Sequence, residues 1–181
     1  MNYEIVISGF GGQGVLSMGK IIAYSGIMED KEVSWMPSYG PEQRGGTSNV
    51  TVIVSDEPVS SPVVNEYDVV IVLNQPSLDK FGPRVKKGGI LIYDPALIQH
   101  KSDRKDINIY EVPATEQSLE MGNDKIFNMI ILGGMLKAAP MLKLESIIAG
   151  LKKSLPERHH KLIPLNEEAI KRGMNSLVKV N

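Results

Sequence analysis

The sequence contains no cysteine. A chain without thiols cannot form a disulfide, bind zinc through thiolates or ligate an iron–sulfur cluster in the usual way. We therefore expect this chain to hold no thiolate-ligated redox metal of its own. Any metal that carries electrons would belong to a partner.

The chain also lacks an excess of one charge and a long hydrophobic run. Twenty basic residues stand against 21 acidic ones, and the formal net charge is −1, so no overall charge draws it to nucleic acid or to an anionic membrane. The longest apolar stretch, residues 126–139, is shorter than the ~20 residues that span a bilayer. The start of the chain does not resemble a signal peptide. We expect a cytoplasmic protein with neither nucleic acid nor membrane as a partner.

What the chain does contain is the pattern of one α/β domain, residues 1–181, with 42% apolar and 23% charged residues. Apolar β-branched runs predict strands, and apolar residues at helical spacing predict helices after residue 12, from residue 76 and through the C-terminal third. Only ten residues separate the second and third strands, too few for a helical crossover, so these strands should be antiparallel. The sequence predicts a three-layer α/β/α, Rossmann-like domain with a mixed β-sheet. The predicted strands are residues 3–8, 32–36, 47–54, 69–73, 90–93 and 107–112.

The second predicted strand contains two residues with specific expectations. Pro37 is predicted to end the strand, because proline has no N–H for a sheet hydrogen bond. Trp35 lies within the strand and is predicted to belong to the core, although aromatic residues are also enriched at interfaces.

The helices of the C-terminal third are predicted to begin at side chains that can cap them. The helix after residue 124 is apolar nearly all round. It is therefore either covered by the later helices or offered to another chain. Gly133 and Gly134 within it would permit a close approach. The predicted N-caps are Thr115, Asp124 and Asn166.

A glycine-rich turn, residues 9–14, separates the first strand from the first helix. Such a turn lets the backbone approach a ligand closely, and the free N–H groups at the helix start favour an anion. The nicotinamide version also needs an acidic residue at the end of the second strand. Here Glu29 and Asp30 precede that strand, so the fingerprint is incomplete. An anion site and simple tight packing of strand on helix both stay open.

A second glycine-rich loop, "SYGPEQRGGTSN", occupies residues 38–49 and leaves the second strand at the same carboxyl edge of the predicted sheet. Glu42 and Arg44 stand between its glycines and supply one anion and one bidentate cation. Asn74 and Asp94 end their strands at this edge as well. They either line the crevice between the loops or cap the turns that follow.

The stretches "GFGGQGV", "SYGPEQRGGTSN", "YDVVIVLNQPSLDKF" and "LNEEAIKRG" resemble the γ subunit of the 2-oxoacid:ferredoxin oxidoreductases. The resemblance implies a non-catalytic subunit, similar to domain III of pyruvate:ferredoxin oxidoreductase. It implies α and β subunits and often a ferredoxin-like δ subunit as partners, with ferredoxin as the acceptor. These enzymes oxidatively decarboxylate a 2-oxoacid to an acyl-CoA, using thiamine diphosphate, iron–sulfur clusters and coenzyme A. The family is not known to place the thiamine or the clusters in this subunit.

Within that family, "GPEQRGGTSN" is more similar to the 2-oxoglutarate and branched-chain enzymes than to the pyruvate enzymes, and we favour 2-oxoglutarate. The alternatives are the β subunit of indolepyruvate:ferredoxin oxidoreductase, an independent dinucleotide- or CoA-binding protein, and a homo-oligomeric regulator. The candidate site either contacts coenzyme A or docks the α subunit. We expect no catalytic residue and no metal ligand. The candidate site consists of Gly9, Gly11, Gly12, Gln13, Gly14, Glu42, Arg44, Gly45, Gly46 and Asn74.

Overall fold

The computed structural model describes residues 1–40 and 46–181. Short 3-10 segments lie at Gly82–Arg84, Pro95–Leu97, Asp124–Ile126 and Glu157–Leu162. The strands are β1 (Asn2–Phe10), β2 (Glu32–Tyr39), β3 (Thr47–Ser55), β4 (Tyr67–Val72), β5 (Val85–Tyr93), β6 (Asn108–Glu111) and β7 (Val178–Lys179). The helices are α1 (Val15–Met28), α2 (Gln75–Phe81), α3 (Ala114–Glu120), α4 (Phe127–Ala138), α5 (Leu144–Ser154) and α6 (Ile163–Ser176).

The strands of the described residues form one mixed sheet in the order β2–β3–β1–β4–β5–β6–β7. β1, β4, β5 and β6 are mutually parallel, β3 is antiparallel to both of its neighbours, and β7 is antiparallel to β6. Because two antiparallel steps restore the direction, β2 points the same way as β1. The carboxyl ends of β1, β2, β4, β5 and β6 therefore meet at one edge of the sheet, as the sequence predicts.

Two buried clusters cover the two faces of the sheet. Ile5 and Ile7 of β1 pack in the larger cluster with α1, α4, α5 and α6. Val6, whose side chain points the other way, packs in the smaller cluster with α2 and neighbouring loop residues. This arrangement confirms the three-layer α/β/α prediction, with one helical layer much thinner than the other. Among the described residues, no helix combines the length and the apolar character needed to cross a bilayer.

The prediction that Pro37 ends the second strand is wrong, because β2 continues to Tyr39 with Pro37 opposite Val50. The N–H of Gly40 donates to the carbonyl of Thr47. Alternation in an antiparallel ladder then directs the even-numbered N–H groups of β2 toward β3 and the odd-numbered ones outward. The N–H that Pro37 lacks is therefore one that would have pointed away from the sheet.

Trp35 is not a core residue, which corrects the second expectation for this strand. It lies on the outermost strand, beside Gly19 of α1, and 40% of its surface is exposed. An outer strand has a neighbour on one side only, so its side chains are incompletely covered.

The three predicted N-caps in the C-terminal third are wrong. Thr115 lies inside the first turn of α3, where its N–H is bonded to Asp94. Asn123, one residue before Asp124, accepts the capping hydrogen bond of the next segment. Asn166 lies inside α6 and its side chain donates to the carbonyl four residues earlier. In the first two cases a distant or a neighbouring residue accepts from the helix amides, whereas no side chain of the described residues caps α6.

Helix α4 is buried over most of its surface and crosses α6 with the two backbones in contact. A Cβ atom added at Gly133 would lie 1.9 Å from the carbonyl oxygen of Ile170, and one at Gly173 would lie 1.8 Å from that of Ile130. Both distances are far below any van der Waals contact. The apolar helix is thus covered by the C-terminal helices, which confirms one of the two alternatives, and glycines make the close approach possible.

Candidate functional site

The two glycine-rich loops meet at the carboxyl edge of the sheet. Ser48 of β3 lies opposite Gly9 of β1 on one side and opposite Tyr39 of β2 on the other. The N–H of Gly11 donates to the carbonyl of Gly46 at 2.9 Å, so the loops are bonded directly to each other. Three predicted site residues, Glu42, Arg44 and Gly45, lie outside the described residues.

The first loop turns through two glycines in the left-handed region, Gly12 with φ 94° and Gly14 with φ 77°. Gly14 caps α1 with its backbone, and no side chain of the described residues caps this helix. The N–H groups of the first turn of a helix have no acceptor within the helix. They therefore remain available to an anion at this edge.

Gly9, Gly12 and Gly14 of this loop have different roles. A Cβ at Gly12 would meet no atom within 4 Å, so its backbone borders open space. A Cβ at Gly14 would lie 2.3 Å from the side-chain nitrogen of Asn128 in α4, and one at Gly9 would lie 2.5 Å from Oε1 of Gln13. Gly9 and Gly14 thus permit tight internal packing, whereas Gly12 is the glycine that faces a possible ligand.

The side chain of Gln13 braces the turn. Its Oε1 accepts from the N–H of Phe10 at 2.7 Å, and its Nε2 donates to the carbonyl of Leu73, at the end of β4, at 2.9 Å. The sequence suggests that this amide could contact a ligand. In the structure it holds the glycine turn against the neighbouring strand, so its role is to position the backbone.

We expect Gln13→Ala to lower the free energy of unfolding by about 2 kcal/mol, because two main-chain groups lose their partners. Gln13→Glu gives a sharper result. At neutral pH a carboxylate oxygen would face the carbonyl of Leu73, which raises the pKa of the new side chain. The variant should therefore be destabilised at pH 7 and recover relative to the parent at pH 4.5, where the protonated acid can donate. Urea denaturation of parent and variant at both pH values measures this, and equal stability at pH 7 would contradict the bracing role.

Two cavities flank the glycine turn. The first, which we call the loop cavity, has a volume of about 730 Å³ and lies between the two loops. The second, the helix cavity, has a volume of about 400 Å³ and lies between the turn and the elements α3 and α4. Thr115 and Ser118 line the helix cavity. The sequence assigned neither of them to a binding site, because no motif marks them for one. The loop cavity is bordered by Phe10, Gly11, Gly12, Gly14, Tyr39, Gly40 and Gly46.

Asn74 and Asp94 are both used as caps at this edge. Oδ1 of the buried Asn74 accepts from the N–H of Ser77 at 2.8 Å and caps α2. The fully buried Asp94 accepts from the N–H of Ala96 at 2.9 Å and from both the N–H and the hydroxyl of Thr115 at 2.7 and 2.6 Å. Of the two alternatives left open by the sequence, the structure shows the capping one.

Tyr93, the last residue of β5, is a buried acid–base group near the same edge. The pKa of Tyr93 is raised to about 12, chiefly by burial and to a smaller extent by the nearby Glu111 carboxylate. Glu111 is itself paired with Lys101 at 2.6 Å. Tyr93 therefore stays protonated at neutral pH. Across residues 1–40 and 46–181, no group of three or more His, Cys, Asp or Glu side chains is placed to hold a metal ion.

Exposed aromatic side chains surround the mouth of the loop cavity. Tyr39 and Phe10, which line this cavity, are 70% and 39% exposed. Trp35 and Met36, earlier on β2, are each 40% exposed. Aromatic residues and methionine are enriched at protein interfaces. The edge thus combines free backbone amides, which suit an anion, with apolar surface, which suits a protein partner.

Comparison with known sequences gives a consistent result. Residues 4–176 match the family described as pyruvate ferredoxin/flavodoxin oxidoreductase. Ketoisovalerate oxidoreductase subunit VorA of Methanothermobacter marburgensis is 46% identical over 133 residues, which cover 74% of this chain and 28% of the relative. The 2-oxoglutarate synthase subunit KorC of Methanocaldococcus jannaschii is 34% identical over 160 residues, which cover 87% of this chain and 86% of the relative. The chain thus spans little more than a quarter of VorA but most of KorC.

Comparison with solved structures points in the same direction. The crystal structure of a keto/oxoacid ferredoxin oxidoreductase γ subunit from Geobacter sulfurreducens superimposes with a TM-score of 0.84 at 29% sequence identity. The superposition covers 97% of this chain and 96% of that one. The similarity therefore extends over nearly the whole length of both chains.

Proposed function

Since the chain belongs to the pyruvate ferredoxin/flavodoxin oxidoreductase family, we propose that it is the non-catalytic γ subunit of a 2-oxoacid:ferredoxin oxidoreductase. The observation that carries the proposal is the superposition on the oxoacid ferredoxin oxidoreductase γ subunit from Geobacter sulfurreducens over 97% of this chain and 96% of that one. The hydrogen bond between Gly11 and Gly46 joins the two loops into one surface. The 2-oxoglutarate synthase subunit KorC, which matches over most of both chains, supports the same proposal.

The proposal assigns the redox chemistry to the α and β subunits and, where present, a ferredoxin-like δ subunit. An iron–sulfur cluster does not fit this chain, which has no cysteine. Thiamine diphosphate, which supplies the decarboxylation chemistry when bound, is likewise assigned to the partners. This chain's own residues would contribute binding and assembly. Purification of the chain from its native host with its partners tests this: thiamine- and cluster-bearing subunits should accompany it, and a solitary protein carrying a nucleotide would contradict it.

We propose coenzyme A as the small molecule that this edge binds. The loop cavity of about 730 Å³ is large enough for part of such a ligand. Its glycine amides and the start of α1 suit a pyrophosphate, and Gly12 leaves open space for it. Arg44 lies in the segment between Gly40 and Gly46, which both border the cavity, and a guanidinium can pair a phosphate with two hydrogen bonds.

Docking of the α subunit is a second candidate for the same edge, and the exposed Tyr39 and Phe10 favour it. Arg44→Ala separates the two candidates. If the loop binds coenzyme A, KM for coenzyme A should rise about 10- to 100-fold, the effect of losing a charge-assisted pair, while the complex stays assembled. If the loop docks the α subunit, the complex should dissociate on size-exclusion chromatography.

The matched control for this experiment is Arg158→Ala, which removes an arginine from the 3-10 segment Glu157–Leu162, away from the loop cavity. It should change neither KM nor assembly. If Arg44→Ala also changes neither, both candidates are overturned for this loop.

For the 2-oxoacid we propose 2-oxoglutarate, supported by the similarity to KorC over 86% of its length. A branched-chain 2-oxoacid is the second candidate, because VorA has the higher identity, 46% over 133 residues. The assembled complex should be assayed with 2-oxoglutarate, 3-methyl-2-oxobutanoate and pyruvate. The highest kcat/KM identifies the class, and a preference for pyruvate would contradict both candidates.

A further inference from the structure

A third pocket, which we call the lysine pocket, opens on the helical face of the molecule beyond the first turn of α1. It has a volume of about 560 Å³ and lies between α1, α4, α5 and the segments that begin at Asp124 and Glu157. Its floor is made by buried apolar side chains, among them Ile21, Met129 and Leu151. Concave sites of this size with an apolar floor are typical of small-molecule binding.

The rim of the lysine pocket carries positive charge without a compensating acid. Lys20 and Lys125 both line it, and none of the lining residues is an aspartate or glutamate. Neither lysine forms an ion pair with a carboxylate in residues 1–40 or 46–181. Lys20 instead lies 5.8 Å from the ring centroid of Tyr24. The side-chain amide of Asn166 also lines the pocket, and one of its two N–H groups remains after its bond to the carbonyl of Leu162.

The floor and the rim select different parts of one ligand. An apolar floor gains free energy by burying a hydrocarbon, while two ammonium groups that form no ion pair with a carboxylate of the described residues favour an anion. A flat protein interface would not need a concave floor of buried side chains. We propose that the lysine pocket binds a small organic anion, a carboxylate or phosphate monoester carrying a short apolar body.

Titration of the uniformly ¹⁵N-labelled full chain with sodium octanoate tests this proposal. Octanoate should produce saturable amide shifts in α1, α4 and α5 around the pocket. The double variant Lys20→Gln/Lys125→Gln should bind octanoate about tenfold more weakly, because two charge-assisted contacts are lost. The matched control, Lys152→Gln/Lys153→Gln, removes two lysines of α5 that do not line the pocket and should bind as the parent does. Octylamine, with the same chain length and the opposite charge, should bind at least tenfold more weakly than octanoate.

Several results would overturn the proposal. Equal binding of octanoate and octylamine would reduce the pocket to an apolar depression. Equal weakening by both double variants would show that only the net charge matters. Absence of saturable shifts, together with protection of Lys20 and Lys125 from amine labelling in the assembled complex, would assign this surface to a protein contact. The titration uses no oxidoreductase activity, so its outcome is independent of the proposed function.

Discussion

Gly173→Ala should lower the free energy of unfolding by about 3 kcal/mol or more, because the new Cβ would lie 1.8 Å from the carbonyl oxygen of Ile130. The obstacle is backbone, which cannot rotate aside as the end of a side chain can. To make room, α4 and α6 would have to separate and lose packing along their contact. At an exposed helix position the same change would raise stability by about 1 kcal/mol, so the sign of the effect is itself diagnostic.

Two further variants make the measurement interpretable. Gly134→Ala would meet a methyl group of Val112 at 2.3 Å, and because that side chain can shift, we expect a smaller loss of about 1–2 kcal/mol. Lys171→Ala removes an exposed side chain of α6 that forms an i,i+4 ion pair with Glu167. It should change the free energy of unfolding by about 0.5 kcal/mol or less. Chemical denaturation of all three gives the order. If Gly173→Ala stabilises the protein, or matches Lys171→Ala, the close crossing is contradicted. Failure of Gly173→Ala to fold, while Gly134→Ala and Lys171→Ala do fold, would support it.

Asp94→Ala should cost about 3 kcal/mol, since it removes the acceptor of three hydrogen bonds from a fully buried position. The N–H and the hydroxyl of Thr115 would both lose their partner at the start of α3. Because Thr115 lines the helix cavity, we also expect the amide resonances around this cavity to shift in an NMR spectrum of the variant. Denaturation measured by circular dichroism gives the loss of stability.

The neighbouring substitutions grade the Asp94 prediction. Asp94→Asn keeps one acceptor oxygen but turns an amide N–H toward other donors, and about half of the loss is expected. Thr115→Ser keeps both donors to Asp94 and should cost about 0.5 kcal/mol. Equal stability of Asp94→Ala and Thr115→Ser would show that the carboxylate does not hold α3 in place.

The sequence was sufficient for the architecture because the architecture depends on local patterns. Apolar runs predicted β1 to β6, and the short spacer before β3 predicted its antiparallel pairing. The two-residue strand β7 was not predicted, because so short a segment carries no pattern. The joint position of the two glycine loops then followed from strand direction alone. The shared edge could therefore be anticipated without coordinates, whereas the hydrogen bond from Gly11 to Gly46 that joins the loops could not.

The details that could not be predicted depend on contacts between distant residues. Gln13 bonds to a carbonyl sixty positions along the chain, and nothing near Gln13 in the sequence indicates that partner. Thr115 has the side chain of a typical helix cap, but in the structure the carboxylate of Asp94, which follows β5, accepts from the N–H of Thr115 in the first turn of α3. In both cases the hydrogen-bond partner is distant in the sequence. For α3, local rules therefore predicted the helix correctly and its capping residue incorrectly.

Pro37 within β2 affects the tendency of the protein to self-associate through the edge of its sheet. An open strand edge with a full row of donors is a template on which further strands can assemble. Pro37 removes one outward donor from the middle of the outermost strand, which interrupts that row and discourages open-ended polymerisation. The exposed side chains of Trp35 and Tyr39 are therefore available to a specific protein partner. The backbone of β2 does not offer a continuous edge for fibril growth.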